Sequence, residues 1–187
     1  MQTRFLAVIA LCLLAGCGAK KTVRLAPGLQ MDVLLMSGLT EAKAMVQSFT
    51  IERGDTTFRF DGLVEVEPGR LAMVGLTPVG TRGFAAVWEN GVYSFERLPY
   101  YRLPVPPREL LLMHQLAFLP KTLVLESLPA GVTLEEADGK RRLNRGDERL
   151  VVISYSQGAD LPQTAILEHK NYRVTMVTRD IQMLDDE

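Results

Sequence analysis

Few side chains in this sequence stand where they could do chemistry. The only histidines are His114, inside an apolar run, and His169, at the end of an alternating one, and they share no ligand spacing. A zinc site needs three or four ligands, so no metal and no cofactor is expected. Val151-Val152-Ile153-Ser154-Tyr155-Ser156-Gln157-Gly158 is a strand running into a Ser-x-Ser-x-Gly-like turn. A nucleophile elbow needs glycine on both sides of its serine and a helix directly after it. Here Ser154 and Tyr155 crowd one side, and Ala159-Asp160-Leu161-Pro162 cannot open a long helix. A strand edge with a solvated turn is the expected reading. An esterase or acyltransferase built on Ser154 or Ser156 with His169 is the catalytic alternative. Thr77-Pro78-Val79-Gly80-Thr81 has too few glycines for a phosphate loop and no helix after it. Glu135-Glu136 and Asp185-Asp186-Glu187 read as solvated surface. No enzyme is expected.

The remaining chemistry is a thiol. Arg4 precedes a hydrophobic run from Phe5 to Leu14, which gives way to Ala15, Gly16 and Cys17. Charge, greasy core and small-residue cut site, in that order, make a secretory signal. The run is too short for a helix spanning a bilayer core of about 30 Å, which needs roughly 20 residues. Leu14-Ala15-Gly16-Cys17 resembles a bacterial lipobox, in which the thiol is diacylated, the chain is cut before it and the new amine is acylated. Cys17 is therefore expected to be a lipid anchor. Cys12 would leave with the signal, so neither a disulfide nor a thiolate-held metal is expected. Gly18 follows the cysteine, where Asp would resemble an inner-membrane retention signal; this leans towards the outer membrane, facing the periplasm.

The chain carries 21 basic and 22 acidic side chains. Such a balance gives no electrostatic footprint for nucleic acid. It also gives no polybasic patch, so membrane attachment would rest on the acyl chains, each buried methylene adding about 0.8 kcal/mol. Residues 17–30 read as the acylated cysteine and a tether, and 31–187 as one domain large enough for a substantial core.

The elements of that domain follow from period. In residues 57–67, Phe58, Phe60, Val64 and Val66 alternate with polar side chains, the signature of a half-buried strand. Similar runs occupy 45–53, 71–77, 84–89 and 92–98, and strands are expected to resume over 122–127, 132–136, 141–144, 150–156, 164–169 and 172–179. Residues 31–39 are ambiguous between a short helix and a strand. Pro68-Gly69, Asn90-Gly91, Asp138-Gly139 and Lys170-Asn171 supply turn chemistry. Some eleven antiparallel strands result, and a sheet that large curls or closes. One helix interrupts them. Pro104-Val105-Pro106-Pro107 precedes residues 108–119, and Pro120 is expected to end the helix. Only His114 and Gln115 are polar over its last turns, so it must be covered on most faces. It is either a core helix or a plug across the mouth of a curved sheet. The methionines that survive processing suit an adaptable apolar lining.

With these motifs in hand a family comes into view. Leu76-Thr77-Pro78-Val79-Gly80-Thr81 resembles the strand–loop segment of the LolB outer-membrane lipoprotein receptors. Pro104-Val105-Pro106-Pro107 with its leucine-rich helix and closing Pro120 is similar to that family's mid-chain helix. Ile153-Ser154-Tyr155-Ser156-Gln157 is similar to a strand there with the same Tyr-Ser-Gln end. More narrowly, the chain resembles an uncharacterised lipoprotein family with a LolA/LolB-like fold, often encoded beside fatty-acid-synthase-like enzymes and a lipid exporter of aryl-polyene type. The resemblance implies a half-open antiparallel β-barrel of about eleven strands, helices as a lid and an apolar cavity for acyl chains. It also implies that the loop Pro78, Val79 and Gly80 inserts into the membrane. Val79 is smaller than the receptor's leucine and would bury less apolar area; an ordinary inward-pointing hairpin residue is the alternative.

The expected function is therefore non-enzymatic binding or transfer of an acyl-chain lipid, such as a palmitate-bearing one, or of an acylated lipoprotein. The partners would be that cargo, the membrane through the N-terminal lipid, and a LolA-like periplasmic carrier or a lipid exporter. Phe58, Phe60, Val64, Leu71, Met73 and Trp88, with Leu112, Met113 and Leu116 on the lid, are the expected cavity lining. The alternative is a structural or interaction lipoprotein of an envelope complex whose barrel is filled.

Overall fold

A computed structural model describes residues 22–26, 29–34, 36–156 and 164–184. The expected signal segment and Cys17 lie outside the described residues. Twelve strands are described: β1 (Thr22–Ala26), β2 (Leu29–Asp32), β3 (Ala42–Arg53), β4 (Thr56–Glu67), β5 (Arg70–Leu76), β6 (Arg82–Glu89), β7 (Val92–Arg97), β8 (Val132–Ala137), β9 (Lys140–Arg145), β10 (Glu148–Tyr155), β11 (Thr164–His169) and β12 (Tyr172–Leu184). Two helices, α1 (Pro107–Phe118) and α2 (Lys121–Glu126), separate β7 from β8.

Ten of the strands form one antiparallel sheet in the order β7-β6-β5-β4-β3-β12-β11-β10-β9-β8. The chain lays down two meanders, and the last strand, β12, zips them together against β3 from Arg173↔Glu52 to Leu184↔Ala42. The turns at 68–69, 90–91 and 138–139 lie at one end of the sheet, here the lower end. Those at 54–55, 77–81, 146–147 and 170–171 point towards the other, upper end.

Helix α1 dictates the sheet's shape. It contacts β5 and β6 on one side and β11 on the other, although β6 and β11 are five strand positions apart. In a flat sheet that separation would be about 24 Å, at 4.7–4.9 Å per strand, whereas a helix with its side chains is only about 10–12 Å across. The sheet therefore curls around α1. Its edge strands β7 and β8 do not pair with each other, so the curl stays open. Alternation then sorts the side chains: Met45, Phe49 and Ile51 of β3, Phe60, Val64 and Val66 of β4, and Leu71 and Met73 of β5 face α1 and are buried.

Two expectations about local structure need correction. Residues 122–127 are expected to be a strand, yet 121–126 form α2, with only Val124 buried. Pro120 ends α1 but also starts α2, because its fixed φ and missing N–H suit a helix N-terminus as well as they block a helix interior. Nor does a tether extend to residue 30. β1 pairs with β2 in an antiparallel hairpin whose Val23, Leu25, Leu29 and Met31 are buried against the core. Of the ambiguous stretch 31–39, residues 31–32 end this hairpin, and the described residues from 33 to 39 carry neither helix nor strand.

The upper half of the concave face holds an aromatic cluster. Phe49 stacks on Phe60 at 4.7 Å, Phe60 meets Phe84 edge-on at 5.4 Å, and Tyr101 stands edge-on to Phe58 at 5.6 Å. Rings this large fit against strands only where the facing residue has no side chain. Phe84 lies over Gly75 and Tyr101 over Gly83; a Cβ on either glycine would sit 1.9 Å and 2.6 Å from the ring above it. Gly75→Ala should therefore overpack the core and cost about 1–3 kcal/mol, read as a lower midpoint in thermal or urea unfolding. Gly62→Ala, whose Cβ would sit 3.1 Å from Phe49, should cost less.

Candidate functional site

The expected lining residues do converge. Phe58, Phe60, Val64, Leu71, Met73 and Trp88 all occupy positions of β4, β5 and β6 that face α1, and Leu112, Met113 and Leu116 face them from the helix. They belong to one buried cluster, with Phe58 half-buried at its edge. What they build is a packed helix–sheet contact rather than the wall of an open cavity, and only Trp88 among them also borders a cleft, with Thr22 and Leu123. The helix carries no exposed apolar stripe that could serve as a loose plug: every residue from Leu110 to Ala117 is buried.

Such a helix needs partners for its terminal carbonyls and for its two polar side chains. There is no basic residue in its last turn, and the sheet supplies the missing donors. Arg141 of β9, itself buried, donates to the carbonyls of Leu116 and Leu119, the latter at 3.1 Å. The same guanidinium is held by Glu136 of β8, with Nε to Oε1 at 2.7 Å. Tyr155 of β10 donates its hydroxyl to the carbonyl of Ala117 at 2.9 Å. Burial pushes the Tyr155 phenol up to about 12, so it stays a donor. Gln115 is the helix's second fastening. Its amide accepts from the backbone N–H of Leu34 at 2.9 Å and donates to the carbonyl of the same residue at 3.1 Å. That fully buried, two-way pair ties the segment after β2 to the helix. No local sequence pattern marks Arg141 or Tyr155 for this role; for Gln115 the available signal is a lone amide in an apolar helix.

His114 has no such partner on Nε2. It stacks on Phe118 with centroids 4.6 Å apart. Burial, with Lys43 nearby, pulls its pKa down to about 3, so the ring is neutral.

Where α1 ends, the lower end of the curl stays open. A cleft of about 810 Å³ lies between the start of β3 and the β8–β9 turn. Leu39, Met45, Val66 and the run Phe118, Leu119, Pro120 give it an apolar floor; Lys43, Asp138 and Lys140 stand on its rim. Of the nine expected lining residues none borders this cleft. The space sits beyond the helix end rather than beneath the helix, which a pattern of alternating residues does not reveal.

At the β5–β6 connection, Gly80 N–H donates to Thr77 O at 2.9 Å and Thr77 N–H to Thr81 O at 2.8 Å. The Thr77 and Thr81 hydroxyls meet at 2.8 Å. Pro78 suits the second position of such a turn, and Gly80 takes the positive φ of 79° that a side chain would resist. Val79 is thereby held at the tip, 83% exposed. The inward-pointing alternative is not what the fold adopts.

The serines and His169 do not come together. Ser154 pairs with Ile166 on the face opposite to Leu167 and His169, and Ser156 is bonded to Thr164 at the far end of β11. His169 Nδ1 accepts from Asn171 N–H at 3.3 Å. Among the described residues no three His, Cys, Asp or Glu side chains gather as a metal site, and no helix is long and apolar enough to cross a membrane.

Residues 44–181, which run from β3 to β12, match the protein family of unknown function DUF3261. The chain belongs to the DUF3261 family. No curated protein matches its sequence. Among solved structures, this DUF3261 chain is similar to a LolA superfamily protein from Nitrosomonas europaea, at 10% identity and a TM-score of 0.46 over 79% of this chain and 88% of that one. It is similar also to a domain from Vibrio parahaemolyticus named for outer membrane lipoprotein sorting, at 9% identity and a TM-score of 0.44 over 78% and 88% of the two chains. A DUF1329 family protein from Desulfovibrio piger follows at 9% identity and a TM-score of 0.40 over 76% and 86%.

Two measurements test how α1 is held in this DUF3261 domain. Arg141→Met leaves two buried carbonyls without their donor and should cost about 1–3 kcal/mol, against about 1 kcal/mol for Tyr155→Phe, both read by urea unfolding. His114 has a folded pKa below its unfolded value near 6.5, so the unfolded chain binds the extra proton. Its contribution is full above pH 6.5 and is lost as pH falls towards 3, at up to about 1.4 kcal/mol per pH unit. His114→Leu should flatten that acid limb by close to one proton.

Proposed function

We propose that the domain binds an acyl-chain lipid or the acyl chains of a lipoprotein, and that the lower cleft receives them. The observation that carries this reading is the cleft itself: apolar floor, charged rim and a volume within the range of roughly 300–1,000 Å³ typical of ligand sites. An acyl chain laid against Leu39, Met45, Val66 and Phe118 would be driven in by burial at about 25 cal/mol per Å². A polar head group would remain with Lys43, Asp138 and Lys140. No bond is made or broken in this scheme, and it calls on no cofactor.

The reading extends to setting. Acylation at Cys17 would hold the domain at the outer membrane, facing the periplasm, as the resemblance to LolB-type receptors implies. A LolA-like carrier or a lipid exporter of the aryl-polyene type would then hand cargo over. The resemblance also implies membrane contact for the 78–80 loop, where Val79 is exposed at the tip. A second reading, a structural or interaction lipoprotein with a filled interior, is favoured by one observation: α1 occupies the concave face that a deep acyl cavity would need.

Titration of the purified protein with a fluorescent fatty acid, and its displacement by palmitate, separates the two. Saturable binding at one per chain supports the carrier. Leu39→Asp, which puts a charge on the half-exposed floor, should then weaken binding about tenfold or more, roughly 1.4 kcal/mol. Absence of any uptake by a folded protein would favour the filled-interior reading.

A further inference from the structure

The two ends of the sheet differ in a way that bears on orientation. β1 runs from the lower end upward: Thr22 borders a second cleft with Trp88 and Leu123, beside the lower turn 90–91, while the Leu25 carbonyl accepts from the Tyr172 hydroxyl, beside the upper turn 170–171, at 2.9 Å. The chain therefore enters the fold at its lower end. Cys17 is five residues before Thr22, a reach of at most about 18 Å at 3.3–3.6 Å per residue. The acyl cleft opens at this same end, between Lys43 and the β8–β9 turn.

Exposed large apolar side chains also gather there. Met183 (54% exposed), Leu184 and Ile181 close β12 opposite Lys43, Ala42 and Met45; Leu125 projects from α2 and Val92 from the lower turn of β6–β7. Val79 is elsewhere. Its turn follows Leu76, which pairs with Asp61, six residues up β4 from Glu67 at the lower end, and so stands about 20 Å higher at 3.4 Å per residue.

From these placements we infer that the lower end, with Ile181, Met183, Leu184 and Leu125, is the surface that lies against a lipid bilayer, and that Val79 points away from the bilayer. The charges around it are mixed in sign, Lys43, Lys121 and Lys140 against Glu41, Glu126 and Asp138, so contact rests on the apolar side chains and on whatever the chain before Thr22 attaches. The cleft mouth then meets the bilayer directly, and a ligand leaving it need not cross water. The resemblance to LolB receptors implies the reverse, with the 78–80 loop in the membrane.

The inference does not depend on the cleft being occupied. The test uses the full chain reconstituted on phosphatidylethanolamine–phosphatidylglycerol vesicles, with an environment-sensitive fluorophore on Met183→Cys, Leu125→Cys or Val79→Cys. Bromolipids should quench most of the emission at positions 183 and 125 and leave position 79 unchanged. Quenching at 79 alone, or at none of the three, would overturn the inference. Fatty-acid uptake measured on the same samples reports separately on the carrier reading. Met183→Asp, at an exposed site, should lower vesicle association without shifting the thermal midpoint; an unchanged association would also count against it.

Discussion

A helix without a solvent face must find every partner for its leftover backbone groups inside the protein, and most of this structure follows from how α1 does so. Its sequence offers no basic residue at the C-terminus, so the carbonyls of Leu116, Ala117 and Leu119 depend on Arg141 and Tyr155, which stand on neighbouring strands of the second meander. Its Gln115 depends on the backbone of Leu34, far away in sequence. Each fastening joins α1 to a different part of the chain. A buried polar contact of this kind is costly when half-made, so the hairpin β1–β2, the helix and strands β8–β10 are set relative to one another by a few hydrogen bonds as well as by packing.

The same constraint decides where a ligand can go. Because α1 fills the curl of the sheet, the apolar side chains that look like a cavity lining are committed to the core. A cleft remains where the helix stops. At Phe118–Pro120 the chain breaks, turns into α2 and leaves the mouth between β3 and the β8–β9 turn uncovered. The cleft thus begins at the last residues of α1, Ala117 and Phe118. That mouth shares its end of the sheet with the chain's entry point and with most of the exposed apolar side chains.

Much of the β architecture is legible in the sequence. The alternation in residues 57–67 and the glycine turns at 69, 91 and 139 mark strands and hairpins that the structure contains, and the proline bracket around α1 marks the helix. Period alone also puts Phe58, Phe60, Val64, Leu71, Met73 and Trp88 on one face. Three things were not legible. Residues 121–126 are helical rather than a strand, because Pro120 serves the start of a helix as readily as the end of one. Residues 22–30 look like a polar tether, yet Val23, Leu25 and Leu29 alternate inward once β2 is there to pair with. The cleft depends on where α1 ends in space relative to Lys43 and Lys140, a long-range relation that no local pattern encodes.

The central claim is that a ligand sits at the end of α1 and not beneath it. Photocrosslinking with a diazirine-bearing palmitate, followed by peptide mapping of the modified chain, tests it most directly. The account predicts adducts on Leu39, on Phe118–Pro120 and on the β8–β9 turn. Adducts on Phe60, Leu71 or Met73, under the helix, would contradict it and would mean that α1 leaves the sheet when cargo binds.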